Sequence, residues 1–243
     1  MNSDRPRLER VVVTGASGDL GAAVTAACLE RGAAVLAQYH NRKDRLAGLA
    51  GPGELFPVRV DLTEDGGART LAASLPPRWD GIDLLVNCVG GARPTGFADT
   101  TDEDWRRCQQ LNVDVPFFVM RELVGPLQAA GGSVVNLSSV AALTGGSFGP
   151  HYAAAKSAVI GLTRSAARSL GPQGIRVNCV APGPVASAMT DALDERTLQT
   201  LLAGTALDRV VQPSEVADAV LSLALAGGIT GQTVVVDGGR YFQ

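Results

Sequence analysis

Seven short apolar runs recur along the 243-residue chain, and each is continuous where a half-buried strand would alternate. They are Arg10–Thr14, Ala34–Tyr39, Leu55–Val60, Ile82–Asn87, Ser133–Ser138, Ile175–Val180 and Thr233–Val236. A strand that is apolar throughout must be covered on both faces, which is the condition of a parallel sheet between two helical layers. Amphipathic stretches of helical period separate the runs, at Leu20–Arg31, Lys43–Leu49, Asp65–Ser74, Glu103–Ala130, Ala153–Leu170, Asp191–Ala203 and Ser214–Ala226. This alternation predicts an α/β fold of Rossmann type: a doubly wound, mainly seven-stranded parallel sheet with helices on both faces. No linker, repeat or low-complexity tract divides the sequence, so residues 1–243 are expected to form a single domain. Ligands of such sheets lie beyond the C-terminal strand ends, where the strand order reverses.

Composition narrows the function classes. A hydrophobic share of 46% supplies ample material for a core. The net charge of −3 argues against partners that need a basic surface, so neither nucleic acid nor anionic membrane is expected. Met1–Arg10 is polar and charged, and no later run reaches the roughly 18 apolar residues of a spanning helix. A cytoplasmic location is therefore expected. Cys28, Cys88, Cys108 and Cys179 form no CxxC, and His40 and His151 are the only histidines. No metal site is expected, and the thiols read as buried and reduced.

Thr14-Gly15-Ala16-Ser17-Gly18-Asp19-Leu20-Gly21 follows the first strand and opens the first helix. Glycines there permit a tight turn and let backbone N–H groups approach a pyrophosphate at the positive helix end. A β-to-α turn can also need glycine with no ligand present, so the position of this loop after the first strand carries more weight than its spacing. Asp61 ends the third strand, where it either accepts from an adenine amino group or caps the next helix; the residue alone favours the cap. Sites selective for NAD place an acid at the end of the second strand. Here the stretch is Gln38-Tyr39-His40-Asn41-Arg42-Lys43, with no carboxylate before Asp44. Arg42 and Lys43 can pair with a 2′-phosphate, which predicts NADP(H) over NAD(H). The competing reading is a solvated helix start.

Tyr152 and Lys156 stand four residues apart, so a helix puts both on one face. A tyrosine pKa of about 10 is too high for ready proton exchange at neutral pH, and a nearby ammonium favours phenolate. The chain has 21 basic residues, yet Lys43 and Lys156 are its only lysines. Tyr and Lys at this spacing are also common on ordinary helices. Ser138 and Ser139 lie just upstream, and either hydroxyl can hold a substrate carbonyl for proton and hydride transfer. Asn112, a mediocre helix former within Glu103–Ala130, is placed to hold a water behind Lys156.

This set, with Asn87-Cys88-Val89-Gly90, Pro182-Gly183 and the ending Gly231-Gln232-Thr233…Val236-Asp237-Gly238-Gly239, resembles the short-chain dehydrogenase/reductases from Val11 to Gly239. It is most similar to their short single-domain branch, which includes 3-oxoacyl-carrier-protein reductases and many carbonyl and polyketide reductases. The resemblance implies that Tyr152 is the acid/base, that Lys156 lowers its pKa and binds the nicotinamide ribose, that Ser139 positions the substrate, and that Asn112 completes a proton relay. It implies a cofactor lining of Gly15, Ser17, Gly18, Leu20 and Gly21 from the loop and Asn41 and Arg42 after the second strand. Asp61, Leu62, Asn87 and Gly90 follow, and Pro182, Gly183, Val185 and Ser187 complete the lining with Tyr152 and Lys156. It also implies a homotetramer built on the two long helices.

Two departures stand out. Relatives carry glycine where Asp19 stands and a bulkier or basic residue at Gly18; Asp19, favoured by the helix dipole but adjacent to a diphosphate, is expected to point outward. Cys88-Val89 replaces a second asparagine and an alanine. The walls of the substrate site are expected at Ala92–Phe97, Ala141–Pro150 and a gate at Pro184–Leu202, with Arg93 the most notable charge. Such walls suit a hydrophobic ketone: first a carrier-linked 3-oxoacyl thioester, second a small alicyclic or polyketide ketone. A catalytically silent NADP-binding regulator is the alternative. The hydrolase pattern Gly145-Gly146-Ser147-Phe148-Gly149 is set aside, since it lies past the strand end and no later histidine follows His151.

Overall fold

Val11, Val12 and Val13 of the first strand, β1 (Arg10–Thr14), have no exposed surface at all. Val11 and Val13 pack into one helical layer and Val12 into the other, each burial stabilising by about 1.5–3 kcal/mol. The computed structural model in which this is seen describes residues 8–146, 148–186, 202 and 204–242. The other strands are β2 (Ala34–Tyr39), β3 (Glu54–Arg59), β4 (Leu84–Asn87), β5 (Ser133–Leu137), β6 (Arg176–Pro182) and β7 (Thr233–Val236). They form one parallel sheet in the order β3-β2-β1-β4-β5-β6-β7. The order reverses between β1 and β4, and their C-terminal ends mark the crevice where a ligand is expected.

One layer holds α1 (Asp19–Glu30) and the last helix, α7 (Pro213–Leu225), whose Val24, Leu29, Val216 and Val220 meet Val11 and Val13. The other holds α2 (Gly67–Ala73), α4 (Val115–Ala130) and α6 (Pro150–Leu170), with Leu71, Val119, Leu123 and Ala167 beneath Val12 and Leu85. The predicted architecture is the one observed.

The differences lie at boundaries. Glu103–Ala130 is not one regular helix: α3 (Asp102–Gln109) passes through a single π turn, Gln110–Asp114, before α4 begins. A π turn widens the helix locally, and this one carries Asn112, whose side chain bonds to a neighbouring loop. Residues 43–49 form only one 3₁₀ turn, Lys43–Leu46, held by the buried Leu46. A short helix, α5 (Ala141–Thr144), follows β5 where none was expected, and it ends at Gly145 in the left-handed conformation (φ 84°). The predicted helix Asp191–Ala203 lies outside the described residues apart from Leu202, as do most of the gate Pro184–Leu202 and the candidates Ser147 and Ser187.

Candidate active site

The glycine loop is shaped by two contacts that admit no side chain. At Gly21 a Cβ would come within 2.2 Å of the Gly15 carbonyl oxygen, so α1 seats directly on the turn. Gly15 has φ +62°, and its Cβ position lies 3.0 Å from the backbone of Val89 at the end of β4. Gln38 holds the loop from β2. Its Oε1 accepts from the Gly15 N–H (2.7 Å), its Nε2 donates to the Val60 carbonyl (2.6 Å), and its own carbonyl accepts from Ala16 N–H (2.8 Å). Gln38 was no site candidate from the sequence, although a buried amide in an otherwise apolar strand was the available signal. Gly18 occupies the N-cap of α1 and brings no capping side chain, which leaves the first-turn N–H groups without a side-chain partner at that cap. Ser17 and Leu20 flank it half-buried.

Across the crevice, Thr14 Oγ1 accepts from the N–H groups of Cys88 (3.2 Å) and Val89 (3.4 Å), tying the ends of β1 and β4 together. Asn87 donates to Asn136 Oδ1 (2.8 Å), and Asn136 donates to Thr163 Oγ1 (3.0 Å), which bonds in turn to the Val159 carbonyl. This buried chain fixes the Asn87 side chain, whose Oδ1 is a buried acceptor with no partner. A buried acceptor left open costs about 1–3 kcal/mol, so its position at the crevice fits a ligand donor. Asn136 and Thr163 also escaped the sequence reading; they are polar residues inside buried segments.

The acid/base group is assembled by α6 and the end of β5. Gly149, with φ +107°, and Pro150 at the first helical position start α6 immediately before His151 and Tyr152. Tyr152 packs its ring on Phe148 (5.3 Å between centroids), and the Ser139 hydroxyl lies near enough to influence the phenol. Burial raises the phenol above its ordinary value, and the Ser139 hydroxyl draws it back. Lys156 lies one turn on, 4% exposed, with Nζ donating to the Leu137 carbonyl (2.9 Å) and 5.6 Å from the Tyr152 ring centre. Burial pushes its ammonium down to about 8. The expected pull of Lys156 on the phenol is not among the influences that set the Tyr152 value in this structure.

The two serines separate clearly. Ser138 donates to the Lys156 carbonyl (2.8 Å) and is buried, whereas Ser139 faces Tyr152. Asn112 spends its amide on the loop after β4 and on the preceding turn of its own helix: Oδ1 accepts from Gly91 N–H (3.0 Å), and Nδ2 donates to the Gly91 carbonyl (2.8 Å) and to the Cys108 carbonyl of α3 (2.9 Å). A Cβ at Gly90 would lie 2.8 Å from both Asn112 Oδ1 and Lys156 Nζ, so the missing side chain makes room for that pair.

Other candidates sit at the rim. Asp61 Oδ1 accepts from the Thr63 N–H (2.9 Å) and hydroxyl (2.6 Å), while Oδ2 lies 3.3 Å from His40 Nε2. Those bonds, Thr63 first, hold its carboxyl below the ordinary range. Asp61 therefore caps its own turn rather than α2, whose N-cap is Gly66. Leu62 is buried in the core, so its side chain is not open to a ligand. Asn41, Arg42 and Lys43 are exposed, and Arg42 lies 3.9 Å from Asp44. Pro182 ends β6 with its carbonyl accepting from Val140 N–H (2.9 Å), Gly183 lies against Asp237, and Val185 bridges to Val211. Asp19 does not project freely outward: its carboxylate is ion-paired with Arg45. Among the described residues no cluster suits a metal ion, and no helix is long and apolar enough to cross a membrane.

The crevice thus offers an uncapped helix N-terminus, an unpartnered buried acceptor, two glycines pressed against backbone and one, Gly90, whose side-chain space is taken by Asn112 and Lys156, which fits a dinucleotide. Comparison with known proteins agrees. A family model described as enoyl-(acyl carrier protein) reductase matches residues 15–240. The 3-oxoacyl-[acyl-carrier-protein] reductase FabG of Thermotoga maritima is 34% identical over 244 residues, covering 96% of this chain and 98% of that protein. Nodulation protein G of Rhizobium sp. (strain N33) is 33% identical over 237 residues, covering 95% and 96%. The crystal structure of a 3-oxoacyl-[acyl-carrier protein] reductase from Brucella melitensis superposes with a TM-score of 0.87 at 32% identity, covering 98% of this chain and 94% of that one. Another, described as a short-chain dehydrogenase/reductase from Burkholderia xenovorans, gives 0.86 at 29% identity, covering 98% and 99%.

Proposed function

The chain belongs to the short-chain dehydrogenase/reductase family of oxidoreductases, and from that premise we propose that it uses NADP(H) to reduce a ketone to a secondary alcohol, or to run the reverse, with Tyr152 as acid/base. The observation that carries this reading is the placement of Tyr152 one helical turn before the buried Lys156, with the Ser139 hydroxyl close enough to lower the phenol's pKa. A bound nicotinamide supplies the hydride. The chain's own groups do the rest. With the Ser139 hydroxyl beside the Tyr152 phenol, a substrate carbonyl held by both would be oriented by the serine and protonated by the phenol. Lys156 holds its charge close beneath, where it can donate to a ribose hydroxyl and steady the phenolate left after proton transfer. Asn112 fixes the Gly91 backbone beside it.

The substrate we assign first is a carrier-linked 3-oxoacyl thioester, with a polyketide or alicyclic ketone second. The family model bears an enoyl-reductase description, but a serine hydroxyl beside a phenol suits a C=O bond, whose oxygen takes the proton; reduction of C=C delivers its proton to carbon. NADPH consumption with acetoacetyl thioester, a cyclic ketone and a crotonyl thioester separates these. Turnover of the enoyl substrate alone would sink the ketone reading. Binding of NADPH with no turnover of any would favour a silent regulator. A homotetramer on the long helices is proposed with it, supported by the exposed Phe117 and Phe118 on α4; light scattering giving a monomer would contradict it.

Two predictions follow from this geometry. Because burial raises the Tyr152 pKa, the phenol keeps its proton through neutral pH. Ketone reduction is therefore expected to be flat around neutrality, while alcohol oxidation, which needs the phenolate, rises with pH. Ser139→Ala removes the hydroxyl that lowers this pKa and should shift the rising limb of oxidation to higher pH; a shift downward would contradict the assignment. Gly90→Ala places a methyl against Asn112 and Lys156. Displacing positioned groups by a fraction of an ångström should lower kcat about 10- to 100-fold, with the melting temperature little changed.

A further inference from the structure

Arg45 and Asp19 join two walls of the crevice that are 26 residues apart in sequence. Arg45 stands in the Lys43–Leu46 turn after β2, and Leu46, 2% exposed, roots that turn in the core layer shared with α1. Asp19 is the first residue of α1, next to Gly18 of the glycine loop. In sheets of this type the pyrophosphate lies at the α1 N-terminus, and the ribose 2′ position is read at the end of β2. A guanidinium that spans from one to the other lies on the lip between them.

Resting on the NADP(H) reading above, we propose that Arg45, positioned by Asp19, is the residue that recognises the 2′-phosphate, in place of the exposed Arg42 and Lys43. Arg45 gives Nη1 to Asp19 Oδ1 and makes no other hydrogen bond among the described residues, so Nε and Nη2 remain for a phosphate. It is 31% exposed against 61% for Arg42, whose charge is also partly met by Asp44. An arginine already held loses less conformational freedom on binding than one in solvent. Asp19 acts in two opposed ways. It fixes Arg45 in place, and its charge competes with the phosphate for the same guanidinium. The acid that looks wrong beside a diphosphate is neutralised until a 2′-phosphate arrives.

The test is equilibrium calorimetry on the cofactor-free protein with adenosine 2′,5′-bisphosphate and with 5′-AMP, which involves no turnover. Wild type should bind the bisphosphate more tightly. Arg45→Ala, made together with Asp19→Asn so that no bare carboxylate remains, should weaken the bisphosphate at least about tenfold with little change for 5′-AMP. Asp19→Asn alone keeps an acceptor for Arg45 and removes the competing charge, so it should tighten the bisphosphate about threefold or more. Wild-type preference that survives the double substitution, or that is lost in Arg42→Ala instead, overturns the role of Arg45 and leaves the NADP(H) reading standing. Equal binding of the two nucleotides by wild type overturns both.

Discussion

Tyr152→Phe should reduce kcat by about 10²–10⁴-fold and leave NADPH affinity and thermal stability near wild type. The expectation rests on how little else the hydroxyl does. The ring is held by Phe148 at 5.3 Å and by its place on α6, one turn before Lys156, and phenylalanine keeps both contacts. What is lost is the proton donor that faces Ser139. Ser139 alone can still accept or donate, but its hydroxyl is also the acceptor for the Ala141 N–H at 3.1 Å, and an aliphatic hydroxyl is a far weaker acid than a phenol. Steady-state kinetics and calorimetric titration with NADPH read the two halves separately. Loss of turnover with cofactor binding intact supports an acid/base role. A variant that retains more than about a tenth of the wild-type kcat would place the proton donor elsewhere, since a single positioned acid is worth more than that.

How far the sequence revealed this site can be argued from particular side chains. The sheet was legible because short runs such as Val11, Val12 and Val13 are apolar and β-branched in succession, and a strand hides all three only when both its faces are covered. Tyr152 and Lys156 were legible as a pair because their relation is local, one helical turn; the strand end just upstream offered Ser138 and Ser139 alike, and only the family resemblance chose Ser139. Asn112 was found as a poor helix former, but its partners at Gly91 were not, since a π turn leaves no mark on periodicity. Gln38, Asn136 and Thr163 went unnoticed because each sits in a segment already explained as buried, and their partners lie far away in sequence. Arg45 is the same case. Adjacency to β2 pointed to Arg42 and Lys43, whereas the rooted 3₁₀ turn brings Arg45 to Asp19. Local chemistry is written in spacing, but contacts between walls appear only when the chain is folded.

Lys156→Met should abolish most activity and at the same time raise the melting temperature at neutral pH. Lys156 is 4% exposed, and burial brings its ammonium from an ordinary 10.5 down to about 8. Between these values the unfolded chain holds the proton and the folded protein has released it, so stability rises with pH across the window. Below about 8 the lysine is charged in both states, and the folded protein bears the full penalty, about 3 kcal/mol. The bond to the Leu137 carbonyl, lost in the methionine variant, offsets about 1 kcal/mol of the gain. A net gain near 2 kcal/mol corresponds to about 4–8 °C for a chain of this size. The same sign predicts how the advantage varies: the variant's margin over wild type should be greatest below pH 8 and shrink toward pH 10.5, where both proteins are neutral at this site. Melting curves across that range are the measurement. A margin that is absent at neutral pH, or that grows as pH rises, would mean that the buried ammonium costs the fold nothing. A margin that shrinks as described would show that the fold gives up stability to keep a positive charge beneath Tyr152, where the proton transfer takes place.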